Sequence, residues 1–433
     1  MTTRDHMITG VLLGAGQRGE VYASYALKNP SEFRILAVAE PLEERRKEIQ
    51  RLHHIPDSLA FESWEQLLAM DRFADCVLVC TQDRFHTAPV KKALEKGYHV
   101  LCEKPMSPLE SECVEMGEYA RRYGKTITVC HVLRYSPFYT RLKKILDAGT
   151  IGDIVSIQHI ESVGYWHQAH SFVRGNWRRK DETSPMILAK CCHDMDLLLW
   201  LTGEHCQQVS SFGSLKHFRP EFAPEGAALR CFDGCKVTDT CPYYCGRLYL
   251  DREAPGVTEL LQKLVALDGS REAVEQNLKT GPYGRCVYYC DNDVVDHQVV
   301  NLQLTHGVTV SFTMCAFTGV GSRITNIMGT RGQILGDMEG SWLEIRDFLT
   351  DDVTKIQIQT GSSGHSGSDD AFMKGFLRTV ATNGAFELSS ASMSVESHLV
   401  ALAAEKSRTE GCTIDMEQYR QALLDQLARK EAE

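Results

Sequence analysis

The sequence predicts an α/β protein in which a domain with a parallel sheet precedes an α+β domain with a large, open, mostly antiparallel sheet. Two observations indicate this division. Residues 1–130 alternate short apolar runs with amphipathic stretches, as βαβ units do. Later stretches alternate polar and apolar residues without intervening helices, which is typical of antiparallel strands. Because 433 residues exceed one ordinary core, we place a second domain at residues 131–433.

In the first domain, near-continuous apolar runs indicate strands that helices cover on both faces. The predicted strands are Ile8–Leu13, Arg34–Ala39, Cys76–Cys80, His99–Cys102 and Thr126–Cys130. The amphipathic stretches between them predict the helices Gly19–Lys28, Leu42–His53, Trp64–Ala69, Thr87–Lys96 and Ser111–Tyr123.

In the second domain, the spacing of apolar residues predicts helices Phe138–Ala148 and Met186–Leu201 and a helical tail after Ser389, which could pack back on the first domain. Alternating residues predict strands at Ile154–Val163, Val209–Leu215, His297–Leu304, Val308–Met314, Ile324–Met328 and Lys355–Gln359, with a hairpin turn at His306-Gly307. The outer face of such a sheet carries apolar residues that need cover, so we expect a homodimer or homotetramer.

The charge and the cysteines narrow the class of protein. A formal net charge of -10 leaves no excess of cations to neutralise nucleic-acid phosphates. No apolar run approaches the ~18 residues of a membrane span. The sixteen cysteines are dispersed and follow no secretory signal, so we expect mostly reduced thiols and a cytoplasmic location.

A glycine motif follows the first predicted strand and opens the first helix. It reads Gly14-Ala15-Gly16-Gln17-Arg18-Gly19. In this context GxGxxG is typical of a Rossmann dinucleotide site, with the pyrophosphate at the helix N-terminus. Glu40 ends the next strand, where a carboxylate can accept hydrogen bonds from ribose and repel a 2′-phosphate, which favours NAD over NADP. The alternatives are a glycine turn without a ligand, or a phosphate bound by Arg45 and Arg46.

Three further motifs carry a family resemblance. They are Cys102-Glu103-Lys104-Pro105 at a strand end, Thr81-Gln82-Asp83-Arg84-Phe85-His86, and Cys192-His193-Asp194. With the glycine motif, the chain resembles the Gfo/Idh/MocA family of sugar and inositol oxidoreductases, closely over the first ~150 residues. The resemblance implies that Thr81, His86, Glu103 and Lys104 line the cofactor site. It also implies a cis proline after Lys104, and contact of this lysine with the substrate hydroxyl and the nicotinamide ribose.

Lys104 also makes chemical sense at that position. A lysine at the carboxyl end of a strand beside the cofactor crevice can stabilise a developing alkoxide. The alternative is a surface lysine that precedes a turn.

His193 is the candidate general base that takes the hydroxyl proton. Relatives in the family usually carry Asp four residues earlier, where it fixes the imidazole tautomer, but this chain has Ala189 there, followed by Lys190. Any orienting group must therefore come from elsewhere. Lys190 is either a second catalytic or substrate-binding cation or an ion-pair partner of Asp194.

Polar and aromatic residues between these motifs suit a carbohydrate. Aromatic faces stack on sugar C–H groups while fixed donors bind the hydroxyls. The candidates for substrate contact are Tyr165, His167, Asn176, Trp177, Arg178 and His193. A polar loop packed by tryptophans is the alternative for all but His193, and His365 could reach the same pocket from a glycine-serine loop.

Four cysteines in an irregular segment form a C-x3-C-x5-C-x3-C pattern. They are Cys231, Cys235, Cys241 and Cys245. Four thiolates could hold a structural zinc ion, or three of them with another ligand could do so. Reduced thiols without a metal are the alternative.

The resemblance favours hydride transfer between NAD and a hydroxyl carbon of a sugar, glycoside or inositol. A second hypothesis is a glycosidase that uses bound NAD transiently, through oxidation, elimination, water addition and re-reduction. A third is a non-catalytic dinucleotide-binding regulator, against which the presence of both Lys104 and His193 argues.

Overall fold

The structure is a computed structural model that describes residues 7–251, 257–359, 367–386 and 388–432. Its strands are β1 Ile8–Leu13, β2 Phe33–Ala39, β3 Ala60–Phe61, β4 Cys76–Val79, β5 His99–Cys102, β6 Ile127–Val129, β7 Ile154–Ser162, β8 Cys206–Ser214, β9 His297–Leu304, β10 Thr309–Cys315, β11 Ser322–Gly329, β12 Gly332–Asp337, β13 Trp342–Asp347, β14 Val353–Gln357 and β15 Ile414–Asp415.

Its helices are α1 Gln17–Lys28, α2 Glu43–His53, α3 Trp64–Ala69, α4 Thr87–Glu95, α5 Glu110–Tyr123, α6 Pro137–Asp147, α7 Tyr165–His167, α8 Met186–Ala189, α9 Cys192–Thr202, α10 Cys245–Tyr249, α11 Val257–Val265, α12 Arg271–Thr280, α13 Ser368–Ala381, α14 Ala391–Glu410 and α15 Met416–Ala432. A π-helix, Gln168–Arg174, continues α7. Within the described residues, no helix is both long enough and apolar enough to cross a membrane.

The first sheet is parallel and has six strands in the order β3-β2-β1-β4-β5-β6. This is the strand order of a Rossmann sheet. Strands β1 to β3 are added towards one edge of the sheet and β4 to β6 towards the other, so the order switches between β1 and β4. The carboxyl ends of these two strands therefore flank a crevice. All five predicted strands and their helices are confirmed within a few residues at each end, whereas the two-residue strand β3 was too short to be predicted.

The second sheet has nine strands in the order β14-β13-β12-β11-β7-β10-β9-β8-β15. Its neighbours pair antiparallel except for β7 and β10, so the predicted mostly antiparallel sheet is confirmed. The hairpin turn between β9 and β10 is also confirmed, with positive φ at both His306 and Gly307.

Strands β12 and β13 were not predicted, and β14 begins two residues before its predicted start. Glycines at both ends of β12 hide its alternating pattern. A Cβ atom on Gly336 would lie 2.6 Å from a Leu343 methyl and 2.8 Å from the Phe138 ring. Close packing therefore requires glycine at a strand position where propensity disfavours it.

The prediction of one continuous helix over Met186–Leu201 is wrong. The chain forms α8 and α9, which are separated at Lys190 and Cys191, where φ and ψ of Cys191 are -98° and 8°. A lysine ammonium from the first domain, rather than a helical N–H, donates to the carbonyl of Ala189. The break therefore lies where the two domains meet.

The C-terminal helices contact both domains. Helix α14 packs against α5 of the first domain and against α9 and β8 of the second, and α15 packs against α5. Helix α13, which was not predicted, packs against α1. Its Phe372 ring contacts the rings of Tyr22 and Tyr135.

Candidate active site

The glycine loop joins β1 to α1 at the crevice between β1 and β4. Gly14 has φ +89°, and a Cβ atom there would lie 2.6 Å from the carbonyl oxygen of Cys80 at the end of β4. A Cβ atom on Gly19 would lie 2.2 Å from the Gly14 carbonyl oxygen, so this glycine allows α1 to pack on the loop. Around Gly16 the space is open, and only the Arg45 guanidinium comes within 4 Å, at 3.7 Å.

This open space fits a dinucleotide pyrophosphate. Gly16 is the N-cap residue of α1, and because it has no side chain it makes no capping hydrogen bond to the first amides of the helix. The amides of the first turn, in which Gln17 is exposed, can therefore bind an anion, assisted by the helix dipole. The residues present thus fit the cofactor that the sequence predicts.

Glu40 is buried and fixed at the end of β2. Its Oε2 accepts a hydrogen bond from the Ala15 N–H at 2.6 Å, and its Oε1 accepts one from the Leu42 N–H at 3.0 Å. Arg46 donates to the Glu40 carbonyl at 2.5 Å and pairs with Glu62, whereas Arg45 lies near Gly16. Glu40 is thus a fixed carboxylate beside the glycine loop, and Arg45 is the nearer of the two arginines.

Arg18 connects the glycine loop to two other parts of the chain. Its Nε lies 2.9 Å from Glu103 Oε1, and its Nη2 lies 2.7 Å from Asp369 Oδ1 on α13. Tyr22 also donates to Glu103, at 2.8 Å. Burial alone would raise the pKa of Glu103, but the cations of Arg18 and Lys104 hold it below its ordinary value. The buried carboxylate before Lys104 is therefore charged.

His86 holds two turns of the crevice together. Its Nε2 lies 2.9 Å from the Thr81 carbonyl oxygen, and its Nδ1 lies 2.8 Å from the Pro105 carbonyl oxygen. The ring is buried, so its role in this structure is to position the turns. The Thr81 hydroxyl donates to the carbonyl of Phe85 at 3.0 Å. The peptide bond between Lys104 and Pro105 is cis, as the resemblance implied.

Lys104 reaches from the end of β5 to the break between α8 and α9. Its Nζ donates to the Ala189 carbonyl oxygen at 3.0 Å. The Glu103-Lys104-Pro105 turn and the segment that carries Lys190 and His193 therefore meet at one place. The two motifs that the sequence singled out for chemistry are neighbours in space.

Lys190 belongs to a network of charged side chains around two buried carboxylates, Glu161 and Asp194. Its Nζ lies 3.3 Å from Glu161 Oε1, and the other oxygen of Glu161 lies 3.0 Å from the Arg323 guanidinium. Arg323 Nε in turn lies 2.7 Å from Asp194 Oδ1, which also contacts His159 Nε2 at 2.9 Å. The suggested Lys190–Asp194 ion pair is therefore wrong, because Asp194 is engaged by Arg323 and His159.

Glu161 and Asp194, the two buried carboxylates of this network, differ in their pKa values. Burial raises the pKa of Glu161, and the charges of Arg323 and Lys190 oppose that effect only in part. Burial would also raise the pKa of Asp194, but Arg323 and His159 hold it at about 2. Glu161 is thus the carboxylate of this network that can more readily take up a proton.

His193 is buried on the first turn of α9, beside a second histidine. The His131 ring meets it edge-on, with 5.8 Å between ring centroids. Burial, with the charges of Arg134 and Lys104, lowers the pKa of His131 well below its ordinary value. Asp196, whose oxygens bind Arg134 at 2.6 and 2.7 Å, lies 3.6 Å from His131 Nε2. The neighbour that the structure places beside His193 is thus the His131 imidazole.

The structure does not bring all of the predicted substrate residues together. His167 stacks on Trp166, and burial, Lys190, His170 and Lys104 lower its pKa, which places it near both lysines. The Tyr165 ring instead faces Tyr243, and Trp177 contacts Phe172. Asn176 and Arg178 line a separate cavity. His365 lies outside the described residues.

The four cysteines of the predicted zinc site lie in or beside one small hydrophobic core, but the structure does not arrange them as metal ligands. Cys231, Cys235 and Cys241 line a narrow cavity together with Cys286, and Cys245 is buried beside Cys231. In the described part of the chain, no three His, Cys, Asp or Glu side chains are placed so that they could hold a metal ion. The zinc interpretation therefore finds no support in this geometry.

Sequence reasoning missed Glu161, His159 and Arg323. A signal was present, because His159 and Glu161 occupy alternate positions on β7 that face the core, as the burial of both shows. Charged residues at core positions of a strand usually belong to a network or a site. Their partners, however, come from β11 and α9, and sequence spacing does not reveal such contacts.

Known proteins resemble this chain over different extents. Oxidoreductase YteT of Bacillus subtilis is 26% identical over 67% of this chain and 66% of its own length. The 2,7-anhydro-N-acetylneuraminate hydratase of Escherichia coli is 30% identical over 37% of this chain and 43% of its own length. The matches therefore span less than two thirds of these curated relatives.

A solved structure shows the same fold over nearly the whole chain. Levoglucosan dehydrogenase in complex with NADH and L-sorbose superposes with a TM-score of 0.70 at 17% identity, covering 95% of this chain and 99% of that one.

Two family models account for most of the sequence. Residues 8–131 match the model of an oxidoreductase family with an NAD-binding Rossmann fold, and residues 143–416 match the C-terminal α/β domain of the same family. The chain belongs to the Gfo/Idh/MocA oxidoreductase family.

Proposed function

We propose that this protein is an NAD-dependent oxidoreductase that acts on a CH–OH group of a sugar, glycoside or inositol. The hydrogen bond from Lys104 to the Ala189 carbonyl carries the proposal. It brings the lysine at the Rossmann crevice to the segment that holds His193 and Lys190. A cation and a proton acceptor side by side at a cofactor crevice are the two groups that alcohol oxidation needs from a protein.

In this proposal the protein residues stabilise the negative charge that develops on the substrate oxygen and accept the substrate proton. Lys104 stabilises the oxygen as it becomes an alkoxide, and neutral His193 accepts the hydroxyl proton. Lys190, held by Glu161 at 3.3 Å, adds a second cation that binds substrate hydroxyls. His167 lies near both lysines and donates to, or accepts from, the rim of the substrate.

The cofactor is held by the glycine loop and its neighbours. Gly14, Gly16 and the first turn of α1 would hold the pyrophosphate, and the Glu40 carboxylate would accept hydrogen bonds from the ribose. When bound, NAD supplies the hydride acceptor. Arg18 and Glu103 stabilise the loop from behind through their ion pair of 2.9 Å.

A panel of sugars, inositols and glycosides, assayed with NAD while both NADH absorbance and released aglycone are followed, tests the proposal. Substrate-dependent NADH accumulation that is lost in Lys104→Ala would support it. Aglycone release without net NADH would instead support a glycosidase that oxidises its substrate transiently. The similarity to an anhydro-sugar hydratase, whose name describes no net redox change, favours keeping that second candidate.

We further propose that the protein forms a homodimer or homotetramer through the open face of the second sheet. Phe212 on β8 is 67% exposed, and it pairs directly with the exposed Val299 on β9. Ile160 on β7 is exposed on the same sheet.

We also propose a cytoplasmic location. It agrees with the cysteines, since all sixteen are free thiols in the structure.

A further inference from the structure

A cavity lined by arginines lies beside the cysteine-rich segment. Its volume is about 310 Å³, at the lower end of the range of about 300–1,000 Å³ that is usual for small-molecule sites. Its lining includes the side chains of Arg174, Arg178, Arg230 and Arg285, and also Asn176 and Thr280. Four arginines among the lining residues concentrate positive charge at this cavity.

Nearby carboxylates neutralise only part of this charge. Asp291 contacts both Arg178, at 3.0 Å, and Arg285, at 2.7 Å. Glu182 also contacts Arg178, but it is shared with Arg179. The charges of Arg178 and Arg285 are thus neutralised largely by one carboxylate, that of Asp291.

The other two arginines have no carboxylate within ion-pair distance in the described ranges. Arg230 donates to the carbonyls of Leu278 and Gly281 at 3.0 and 2.5 Å. Arg174, which is buried, donates to the carbonyls of Arg285 and Tyr243, both at 2.7 Å. Its other polar neighbour is the Cys231 sulfur, at 3.8 Å. These backbone contacts hold the guanidinium groups in place. A hydrogen bond from Cys245 and the charge of Arg174 lower the pKa of Cys231 to about 6, so this thiol offsets part of the charge of Arg174, whereas Arg230 has no such partner.

Two neutral polar side chains complete the lining. Asn176 and Thr280 are exposed, and neither side chain makes a hydrogen bond within the part of the chain that the structure describes. An amide and a hydroxyl beside fixed guanidinium groups suit an oxyanion, because planar arginines bind the oxygens of phosphate and carboxylate in pairs.

We propose that this cavity binds a small molecule that bears a phosphate or carboxylate group. The volume exceeds what a bare oxyanion needs, so the ligand can carry a small polar body such as a sugar. The proposal does not depend on the reaction proposed above, because binding is measured without turnover.

Calorimetric titration of the full chain at low ionic strength tests the proposal, with inorganic phosphate and glucose 6-phosphate as probes. The decisive variant is Asn176→Asp, which places a negative charge in the cavity and removes no hydrogen bond found in the structure. We expect it to weaken binding about tenfold or more through charge repulsion. Gln207→Glu on β8 adds the same charge outside the cavity lining and should bind as the wild type does.

A second pair of variants tests the arginines. Arg230→Gln should weaken binding, whereas Arg247→Gln should not. Arg247 also donates to backbone carbonyls in the same segment, but it does not line the cavity. Thermal unfolding of each variant shows whether the fold is kept, and Asn176→Asp remains decisive if Arg230→Gln fails to fold.

Tighter binding of glucose 6-phosphate than of phosphate, lost in Asn176→Asp, supports the site and identifies a sugar phosphate as the better ligand. Equal affinities that are both lost in Asn176→Asp support the site with a free oxyanion as its ligand. Absence of binding in the wild type, or binding that Asn176→Asp leaves unchanged, overturns the proposal; anion binding at the glycine loop would give the second result.

Discussion

Lys104 Nζ lies 3.0 Å from the carbonyl oxygen of Ala189, so the lysine of one domain contacts the interrupted helix of the other. The oxygen that accepts this hydrogen bond belongs to the residue four places before His193. In this chain the backbone of residue 189, rather than its side chain, takes part in the site. The lysine ammonium is thereby fixed at Ala189, four residues before His193 and directly before the helix break.

Replacement of Lys104 by alanine should reduce turnover about 10²- to 10³-fold, because the variant loses the charge that stabilises the alkoxide. Thermal unfolding should change little. Lys96→Ala is a matched control, since Lys96 also donates to a backbone carbonyl, that of Met70 at 2.6 Å, outside the site. Near-wild-type turnover of Lys104→Ala with a true substrate would show that the lysine is not catalytic.

Two glycines of the loop should respond differently to alanine. Gly16→Ala should fold, because only Arg45 lies within 4 Å of the added methyl, but it should bind NAD about tenfold or more weakly since the methyl occupies the pyrophosphate position. Gly19→Ala should be destabilised, because its methyl would lie 2.2 Å from the Gly14 carbonyl oxygen. NAD titration and thermal unfolding of both variants distinguish the two effects. Unweakened NAD binding by Gly16→Ala would contradict the placement of the pyrophosphate.

Wild-type protein should bind NAD at least about tenfold more tightly than NADP, because the fixed Glu40 carboxylate repels a 2′-phosphate. Glu40→Gln should narrow the difference. Glu62→Gln removes a nearby carboxylate that contacts Arg46 at 3.6 Å, and it should keep the preference. Calorimetric titration of the three proteins with NAD and with NADP measures this preference. Equal or tighter binding of NADP by the wild type would refute the assignment of Glu40.

Stability should fall as the pH drops below about 6.5, since buried histidines resist protonation. Burial, followed by the charge of His131, lowers the pKa of His398 to about 3. Between that value and 6.5 the unfolded chain binds a proton at this residue that the folded chain does not, so acid favours unfolding. At pH 5 this single group costs about 2 kcal/mol relative to neutral pH.

Urea unfolding at pH 7 and pH 5 measures the effect. His398→Gln can keep hydrogen bonds to the Met106 N–H and the Ser394 carbonyl, which His398 contacts at 2.9 and 2.6 Å. The loss of free energy of unfolding between the two pH values should be smaller in this variant by about 2 kcal/mol. An identical loss in both proteins would mean that His398 does not resist protonation in the folded chain.

Phe212→Lys should dissociate the proposed oligomer, because it places a charge in an apolar interface opposite Val299. Light scattering at micromolar concentration measures the mass, and Glu44→Lys on α2 of the first domain is an exposed control away from this sheet. A monomeric wild type would remove the idea of an oligomer formed through this face.

The sequence predicted the first domain well because its signals are local. A strand, a glycine turn and a helix follow one another within residues 8–28, and periodicity alone reveals them. The break between α8 and α9 was missed because local periodicity does not reveal it, and the Lys104 ammonium that binds the Ala189 carbonyl there comes from 85 residues away along the chain. The ion-pair partner of Lys190 was not predicted for the same reason. The sequence suggested Asp194, one helical turn away, but the partner in the structure is Glu161 on β7.

Helix α14 is shared by the hydrophobic cores of both domains, through α5 on one side and β8 and α9 on the other. Neither domain can unfold without exposing one face of this helix to water. The protein should therefore melt in one cooperative transition, and its calorimetric enthalpy should equal the van't Hoff enthalpy. A ligand that binds the glycine loop would then raise the melting temperature of the second domain as much as that of the first.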